Sequence, residues 1–219
     1  MKILAFDTVT EGCSAALMID DTIMERVEAG PNRHSSCLLP MIESLMADAG
    51  LILTDLDALA YDRGPGAFTG LRIGAGVAQG LAFTADIPVV GVSSLQTLAM
   101  AAGVDHVLAA IDARMGQVYW AMIDEPSNMN KSWLEQLDNP EDVRVEAPCI
   151  HGVGSGWDNY AKVLEAGVTG EITWTSEAIP QAAFVARLAQ MELVAHPGGL
   201  SDKAVPVYLR DQVAKRPAR

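Results

Sequence analysis

Short apolar runs separated by polar breaks open the chain, a pattern typical of strands joined by tight turns. The pattern predicts three strands, over residues 2–6, 13–19 and 22–28. Asp20 and Asp21 separate the second run from the third and predict a two-residue hairpin turn. The chain is therefore expected to begin with an antiparallel unit.

The next segment, residues 34–49, has the spacing of a helix that buries one face, and Gly50 supplies its stop. Its apolar residues are Leu38, Met41, Ile42, Leu45 and Met46. Leu39 points away from this stripe, so we expect the helix to bury a second face elsewhere.

A glycine-rich block connects the strand expected at 56–61 with a second helix at about 69–85, for which Thr69 is the N-cap candidate. Two glycine pairs inside that helix are each four residues apart: Gly70 with Gly74, and Gly76 with Gly80. A mid-helix glycine costs about 0.5–1 kcal/mol relative to alanine, so close approach of another backbone should offset that cost. Packing within the chain and a seam between subunits both satisfy this requirement.

A strand at 87–92 and a helix at 94–102 complete the first half. Strands at 104–111 and 117–123 then repeat the strand and hairpin pattern of the start. A helix is expected from about 177 or 180 to 195, with a stripe of Ala183, Phe184, Leu188, Met191 and Val194. Residues 124–148 lose the hydrophobic pattern and are expected to be irregular. The order predicts an α/β protein with a mixed sheet in each half, 1–103 and a reduced 104–219, as in the duplicated, RNase H-like fold of actin, Hsp70 and sugar kinases.

Composition narrows the possible partners. The 219 residues carry a net charge of −13, which repels phosphate backbones and disfavours direct binding of nucleic acid by this chain. The basic residues of the tail, Arg210, Lys215, Arg216 and Arg219, form either a solvated end or a contact with RNA or a partner. Three cysteines without metal-like spacing and the lack of a membrane-length apolar run favour a soluble, cytoplasmic protein.

Six sequence blocks carry a resemblance to a known family. They are Ile3–Thr8, Cys13–Leu17, His34–Pro40, Tyr61–Gly74, Ala110–Trp120 and Pro206–Arg210. Together they are similar to the TsaB family, formerly YeaZ, and only residues 124–170 match nothing specific. The resemblance implies a role in placing a threonylcarbamoyl group on the adenosine beside the anticodon of tRNA.

The resemblance also implies how such a chain works. In that family picture the relative TsaD transfers the group, TsaB pairs with TsaD as a non-catalytic scaffold, the small ATPase TsaE joins them, and tRNA is contacted only indirectly. The first two helices form the seam, and the same surface can pair two copies of the chain. The implied partner-binding residues are His34, Leu38, Met41, Ile42, Leu45, Gly70, Leu71, Arg72, Ile73, Gly74 and Val77. Gly74→Leu is expected to weaken pairing without unfolding the chain, and Arg72 to pair with a carboxylate across the seam.

The residues that could carry chemistry argue against a catalyst. TsaD holds a metal with two histidines four apart, and Ser94 and Leu98 occupy the matching positions here. Asp7, Thr8 and Thr10 are weak candidates for a nucleotide site, since Val9 stands where a glycine would let phosphate approach, and Asp7 is better explained as a strand-end cap.

The remaining chemical signals point the same way. His34, His106, His151 and His196 share no metal-like spacing, and Gly152–Gly156 is either a turn or a late phosphate loop. The sequence contains neither H-E-x-x-H nor G-x-S-x-G, which disfavours a peptidase. We therefore expect no catalytic residue, no metal and no cofactor held by this chain alone. ATP is possible in the complex, and weak nucleotide binding or hydrolysis by this chain is the alternative.

Overall fold

Two five-stranded mixed sheets organise the chain, and a computed structural model describes them over residues 1–30, 34–196 and 204–210. The first sheet contains β1 (Lys2–Asp7), β2 (Gly12–Ile19), β3 (Thr22–Ala29), β4 (Ala58–Gly64) and β5 (Val89–Ser93). Its order is β3-β2-β1-β4-β5, with β1 to β3 antiparallel and β1, β4 and β5 parallel. Ile19 pairs with Thr22, which confirms the two-residue hairpin at Asp20 and Asp21.

The helices of this half are α1 (His34–Ala49), α2 (Phe68–Ala85) and α3 (Ser94–Ala102), with a 3-10 turn at Leu53–Asp55. Helices α1 and α2 cover one face of the first sheet, where Leu38, Ile42 and Leu45 share a core with Leu4, Phe6 and Leu17. Burying each such side chain stabilises the fold by about 1.5–3 kcal/mol. The N-cap of α2 is Ala67, two residues before the predicted Thr69, and it makes no side-chain cap hydrogen bond.

The second sheet repeats the first. Its strands are β6 (Val107–Arg114), β7 (Gln117–Ile123), β8 (Gln136–Asp138), β9 (Val145–Val153) and β10 (Val168–Thr175), and α4 (Ser155–Ala166) joins the last two. The order β8-β7-β6-β9-β10 has the same strand relations as the first sheet. The predicted duplicated α/β fold is confirmed, and a 3-10 turn at Pro140–Asp142 occupies the place that α1 has in the first half.

Two helices pack against the sheet of the other half of the chain. Leu95 and Leu98 of α3 pack on β6 residues of the second sheet, whereas Val185 and Leu188 of α5 (Ala182–Ala195) pack on β1 and β5 of the first. The sequence boundary at residues 103 and 104 falls between α3 and β6. The buried stripe of α5 is Ala182, Val185, Ala186, Leu188 and Ala189, so the predicted stripe was wrong except at Leu188, and Val194 is 67% exposed.

None of the helices within the described ranges is both long and apolar enough to cross a bilayer.

Candidate functional site: the outer stripe of the second helix and the central cleft

Most of the apolar residues predicted to contact a partner lie in the core of the chain itself. Leu38, Ile42, Leu45 and Leu71 are at most 4% exposed, and Gly70 and Gly74 are buried as well. A partner cannot reach these side chains while the chain keeps this fold. Of the remaining residues, His34, Met41, Ile73 and Val77 are half-buried and Arg72 is exposed.

The first glycine pair of α2 serves packing within the chain. A Cβ at Gly70 would lie 1.8 Å from the carbonyl oxygen of Thr8, and one at Gly74 would lie 2.8 Å from the Thr8 hydroxyl. The Thr8 hydroxyl also donates a hydrogen bond to the Gly70 carbonyl over 2.8 Å. Gly74→Leu would therefore disturb the fold, so the expectation that it leaves the chain intact is corrected.

The second glycine pair has a different environment. A Cβ at Gly76 or Gly80 would meet no atom of the described residues within 4 Å, and both glycines are exposed. Arg72, Gly76, Gly80 and Phe83 follow one another at intervals of three or four residues, so they form one face of α2. Phe83 is 92% exposed. We call these four residues the α2 outer stripe; it consists of two exposed glycines between an exposed aromatic ring and a cation.

Arg72, at one end of this stripe, is held by aromatic rings of its own chain. Its guanidinium carbon lies 3.1 Å from the centre of the Phe68 ring and 5.0 Å from that of Tyr208, which is the geometry of a cation–π contact. Tyr208 belongs to the segment 204–210, which also donates the Val207 N–H to the Arg63 carbonyl. The cation predicted to pair across a seam is therefore already oriented before any partner arrives.

His34 fixes the start of α1. Its Nε2 lies 2.9 Å from the carbonyl oxygen of Thr10 and 3.0 Å from that of Gly12, so the ring ties the helix to the loop between β1 and β2. Among the four histidines and the other potential ligands of the described residues, no group of three His, Cys, Asp or Glu side chains is placed to hold a metal ion.

A cleft of about 850 Å³ lies between the two halves. The loop after β1, the first turns of α2 and α4, the turn after β6 and the segment ending at Arg210 line it. Glu11 and Arg114 form an ion pair of 3.0 Å at this cleft, and Arg210 donates to the carbonyl oxygen of Ala113 over 3.1 Å. The other basic residues of the tail, Lys215, Arg216 and Arg219, lie outside the described residues. Asp112 and Asp158 add negative charge to the lining, and Arg114 and Arg210 add positive charge.

The nucleotide candidates are placed in and beside this cleft. Thr10 lines it, and the Thr10 hydroxyl is buried without a hydrogen-bond partner among the described residues. Asp7 and Thr8 are 1% exposed and lie behind the first turn of α2. The Gly152–Gly156 loop is a packed turn, because a Cβ at Gly154 would lie 2.5 Å from the carbonyl oxygen of Ala110.

Two buried carboxyl groups meet where β1 and β4 end. Phe6 pairs with Tyr61 in the parallel register, so Asp7 and Asp62 follow side by side, each 1% exposed. One oxygen of Asp7 accepts the Val9 N–H, and one oxygen of Asp62 accepts the Gly64 N–H and the Ser94 hydroxyl, the latter at 2.5 Å. The remaining oxygens, Asp7 Oδ2 and Asp62 Oδ2, are buried without a hydrogen-bond partner among the described residues, and a proton shared between the two carboxyls would satisfy both.

Burial is the main cause that raises the pKa of both carboxyl groups. The pKa of Asp62 rises to about 7, and that of Asp7 lies well above its usual range because the negative charge of Asp62 adds to the effect of burial. Ser94, one of the two positions matched to metal-binding histidines, is thus a hydrogen-bond donor to this pair. Leu98, the other position, is 1% exposed and packs in the core. Sequence reasoning missed Asp62 because strand register brings it to Asp7.

Comparison with known proteins identifies the family. A family model described as "TsaD: tRNA N6-adenosine threonylcarbamoyltransferase" matches residues 28–217. The tRNA threonylcarbamoyladenosine biosynthesis protein TsaB of Escherichia coli (strain K12) is 41% identical, covering 98% of this chain and 96% of that protein. TsaB of Haemophilus influenzae is 37% identical, covering 100% of this chain and 98% of that protein.

A solved structure agrees with these relatives. YeaZ from Pseudomonas aeruginosa superimposes with a TM-score of 0.85 at 38% identity, covering 95% of this chain and 99% of that one. The similarity extends over both sheets, so it includes the stretch 124–170, for which the sequence blocks gave no match. The chain therefore belongs to the TsaB (YeaZ) family of tRNA threonylcarbamoyladenosine biosynthesis proteins.

Proposed function

We propose that this chain is a non-catalytic subunit of tRNA threonylcarbamoyladenosine biosynthesis that pairs with the transferase TsaD through the α2 outer stripe. TsaE joins the pair, and tRNA is contacted through the partners. The observation that carries the proposal is the environment of Gly76 and Gly80, which are exposed and have open space where a Cβ would stand. Their cost to the helix has no offset within the described residues, whereas that of Gly70 and Gly74 does.

A partner helix supplies the missing offset. A glycine face lets a second helix approach closely, and the ring of Phe83 would fill a pocket of that partner as an aromatic anchor. The half-buried Met41, Ile73 and Val77 flank the contact and adapt to it. A specific complex of this kind buries about 1,200–2,000 Å² in total.

The effect on catalysis is indirect. Pairing favours one arrangement of TsaD over others, because a partner with unequal affinity for two conformations shifts their populations. The acidic surface of this chain, with a net charge of −13, leaves the phosphate contacts to other subunits.

The test replaces Gly76 by leucine. Gly76→Leu should leave the monomer at least as stable as before, since the new side chain meets open space and leucine favours a helix. It should weaken binding of purified TsaD at least tenfold, measured by calorimetry, because the side chain would hold the partner helix away. Lys162→Leu, at an exposed position of α4, is the matched control and should bind TsaD normally. Unchanged affinity of Gly76→Leu would remove the α2 outer stripe from the proposal.

The cleft favours a second candidate, a weak nucleotide-binding or nucleotide-hydrolysing enzyme. Its volume of about 850 Å³ and the unpartnered hydroxyl of Thr10 give this alternative a physical basis. The isolated chain should then hydrolyse ATP, and Arg114→Ala should reduce that turnover. We expect no turnover above a buffer control from the isolated chain, together with no peptidase activity and no stoichiometric metal.

A further inference from the structure

The segment 204–210 connects the first half of the chain with the second at the cleft. Ala204 is buried in the core beneath α1 and α2, and its carbonyl oxygen accepts a hydrogen bond of 2.6 Å from the Gln79 side chain of α2. Val207 donates its N–H to the carbonyl oxygen of Arg63, near the end of β4, over 2.9 Å. We call residues 204–210 the strap; its attachment to the first half includes both core packing and backbone hydrogen bonding.

The attachment of the strap to the second half has a different character. Among the described residues, its hydrogen bonds to that half all come from Arg210, which is half-buried. The guanidinium donates to the carbonyl oxygens of Ala113 and Arg114 over 3.1 and 3.3 Å, and its other terminal nitrogen lies 3.1 Å from the sulfur of Met115. Hydrogen bonds from a charged donor are roughly twice as strong as those between neutral groups. One side chain therefore holds the strap on the turn after β6.

The residues that line the cleft lie at different depths. Leu98 of α3 and Ile111 of β6 line it and are only 1% and 4% exposed, so the packing of α3 on the second sheet forms its floor. Tyr208 of the strap also lines the cleft but is 45% exposed, which places it at the rim. A second rim contact between the halves, the ion pair of Glu11 with Arg114, joins side chains that are each 71% exposed, and such pairs contribute little to stability.

We propose that the strap controls access to the cleft. While Arg210 is bound to the turn after β6, the two halves are held together at the rim; when it is released, they separate at the rim about the packed floor. The hydroxyl of Thr10, which is buried where it lines the cleft, then becomes exposed. Because the core contacts of the floor persist, closed and open forms are two populations of one folded chain.

The strap also contacts the surface that the proposed function assigns to a partner. The Tyr208 ring lies 5.0 Å from the guanidinium of Arg72, a residue of the α2 outer stripe, and its centre lies 6.0 Å from that of Phe68. The two rings hold Arg72 toward the start of α2, and therefore away from Gly76, where a partner helix would approach. We expect the docked strap to favour binding of TsaD. That expectation rests on the proposed function, whereas control of the cleft does not.

The experiment uses the isolated full-length chain with a thiol introduced by Thr10→Cys, at a hydroxyl that makes no hydrogen bond to the described residues. Its alkylation rate is followed by peptide mass spectrometry. The thiol should react slowly while the strap is docked, and roughly fivefold faster or more when Arg210→Ala is added. Arg26→Ala, which removes an exposed ion pair with Asp48 in the first half, is the matched control and should leave the rate unchanged. The exposed Cys149 supplies an internal reference rate.

Each outcome decides the inference. Loss of the positive charge of Arg210 would by itself slow alkylation, because it disfavours the thiolate, so a faster rate reports opening. An unchanged rate in Arg210→Ala would overturn the proposal, and so would an equal rise in Arg26→Ala, which would indicate general loosening of the chain. A thiol that reacts as fast as Cys149 with the strap intact would show that the strap does not close the cleft.

The link to the partner has its own measurement. Tyr208→Ala should weaken binding of TsaD about threefold, because Arg72 loses one of the rings that orient it, whereas Tyr208→Phe keeps the ring and should bind normally. Equal binding by the two variants would remove this link while the result for the cleft stands. Failure of the proposed function would instead appear as unchanged binding of TsaD by Gly76→Leu, in which the strap is intact.

Discussion

At the scale of single residues, the loop after β1 joins two features that the sequence keeps far apart. The Thr8 hydroxyl donates a hydrogen bond to the Gly70 carbonyl in the first turn of α2, while the preceding Asp7 lies buried beside Asp62. The sequence near β1 predicts neither contact, because β2, β3 and α1 lie between β1 and the elements that it meets, β4 and α2. The presence of Asp7 at a strand end was readable, but its buried partner was not.

Asp62→Asn should change how stability depends on pH. In the wild type the pKa of Asp62 is raised to about 7, so the unfolded chain loses this proton near pH 4 while the folded chain keeps it until about pH 7. The stabilising effect of that proton is present below pH 4 and is lost as pH rises toward 7. An asparagine amide donates to Asp7 at every pH. The variant should therefore gain about 1–3 kcal/mol relative to wild type between pH 4 and pH 8.

Urea unfolding of both proteins at a series of pH values measures this difference, and Asp57→Asn, at an exposed carboxyl group, controls for the loss of one negative charge. A wild-type-minus-variant difference that stays flat from pH 4 to pH 8 would show that the two carboxyls do not share a proton.

The glycines of α2 make a matched pair for mutation. Gly70→Ala should destabilise the protein by about 3 kcal/mol or more, because the new Cβ would lie 1.8 Å from the Thr8 carbonyl oxygen and the helix must move. Gly76→Ala should instead stabilise it by about 0.5–1 kcal/mol, since its Cβ meets open space and alanine favours a helix. Denaturant midpoints measure both. Equal effects of the two substitutions would contradict the conclusion that Gly70 packs against the chain's own backbone while Gly76 lies on an open surface.

At the scale of elements, the sequence predicts the helices and strands whose buried residues recur at a regular spacing. Helix α1 shows its buried stripe because one face meets β2, and β6 and β7 are nearly continuous apolar runs. Strands β9 and β10 lie toward the open edge of the second sheet and are largely exposed in their outer parts, so they carry no such pattern. The stripe of α5 was misread because Ala182, Ala186 and Ala189 face the first sheet together with Val185 and Leu188, and alanines give only a weak hydrophobic pattern.

An ion pair between elements of the two sheets gives a prediction at this scale. Arg63 of β4 contacts both carboxylate oxygens of Glu135, just before β8, at 3.1 and 3.2 Å, and the two side chains are only 27% and 11% exposed. Glu135→Gln should lower the free energy of unfolding by about 1 kcal/mol at low salt, and less at high salt. Lys131→Gln breaks the more exposed pair with Glu125 and should cost under about 0.5 kcal/mol. Thermal unfolding at two salt concentrations compares them.

At the scale of the whole molecule, the duplication was readable but the way its halves interlock was not. Strand order in each half follows from the short connections between successive elements, and the lengths of these connections can be read from the sequence. The exchange of α3 and α5 between the sheets depends on which apolar faces remain open after each sheet forms. The periodic apolar residues of α1 and α2 largely fill the core, so the partner surface inferred from them stays a prediction, and the residues that α2 leaves exposed include Gly76, Gly80 and Phe83.

From the exposed α2 outer stripe we predict that the purified chain associates with itself. Two copies related by a twofold axis would place the same residues against each other, so that each Phe83 ring loses its 92% exposure in one contact. Phe83→Asp should shift the protein toward monomer at concentrations where the wild type is dimeric, because the change buries two like charges in place of two rings. Sedimentation over a concentration series measures this. Val194→Asp, at a residue 67% exposed on α5, removes another exposed apolar side chain and should leave the dimer unchanged. A wild type that stays monomeric at about 100 µM would exclude this self-pairing, while a dimer that tolerates Phe83→Asp would place the contact on another surface.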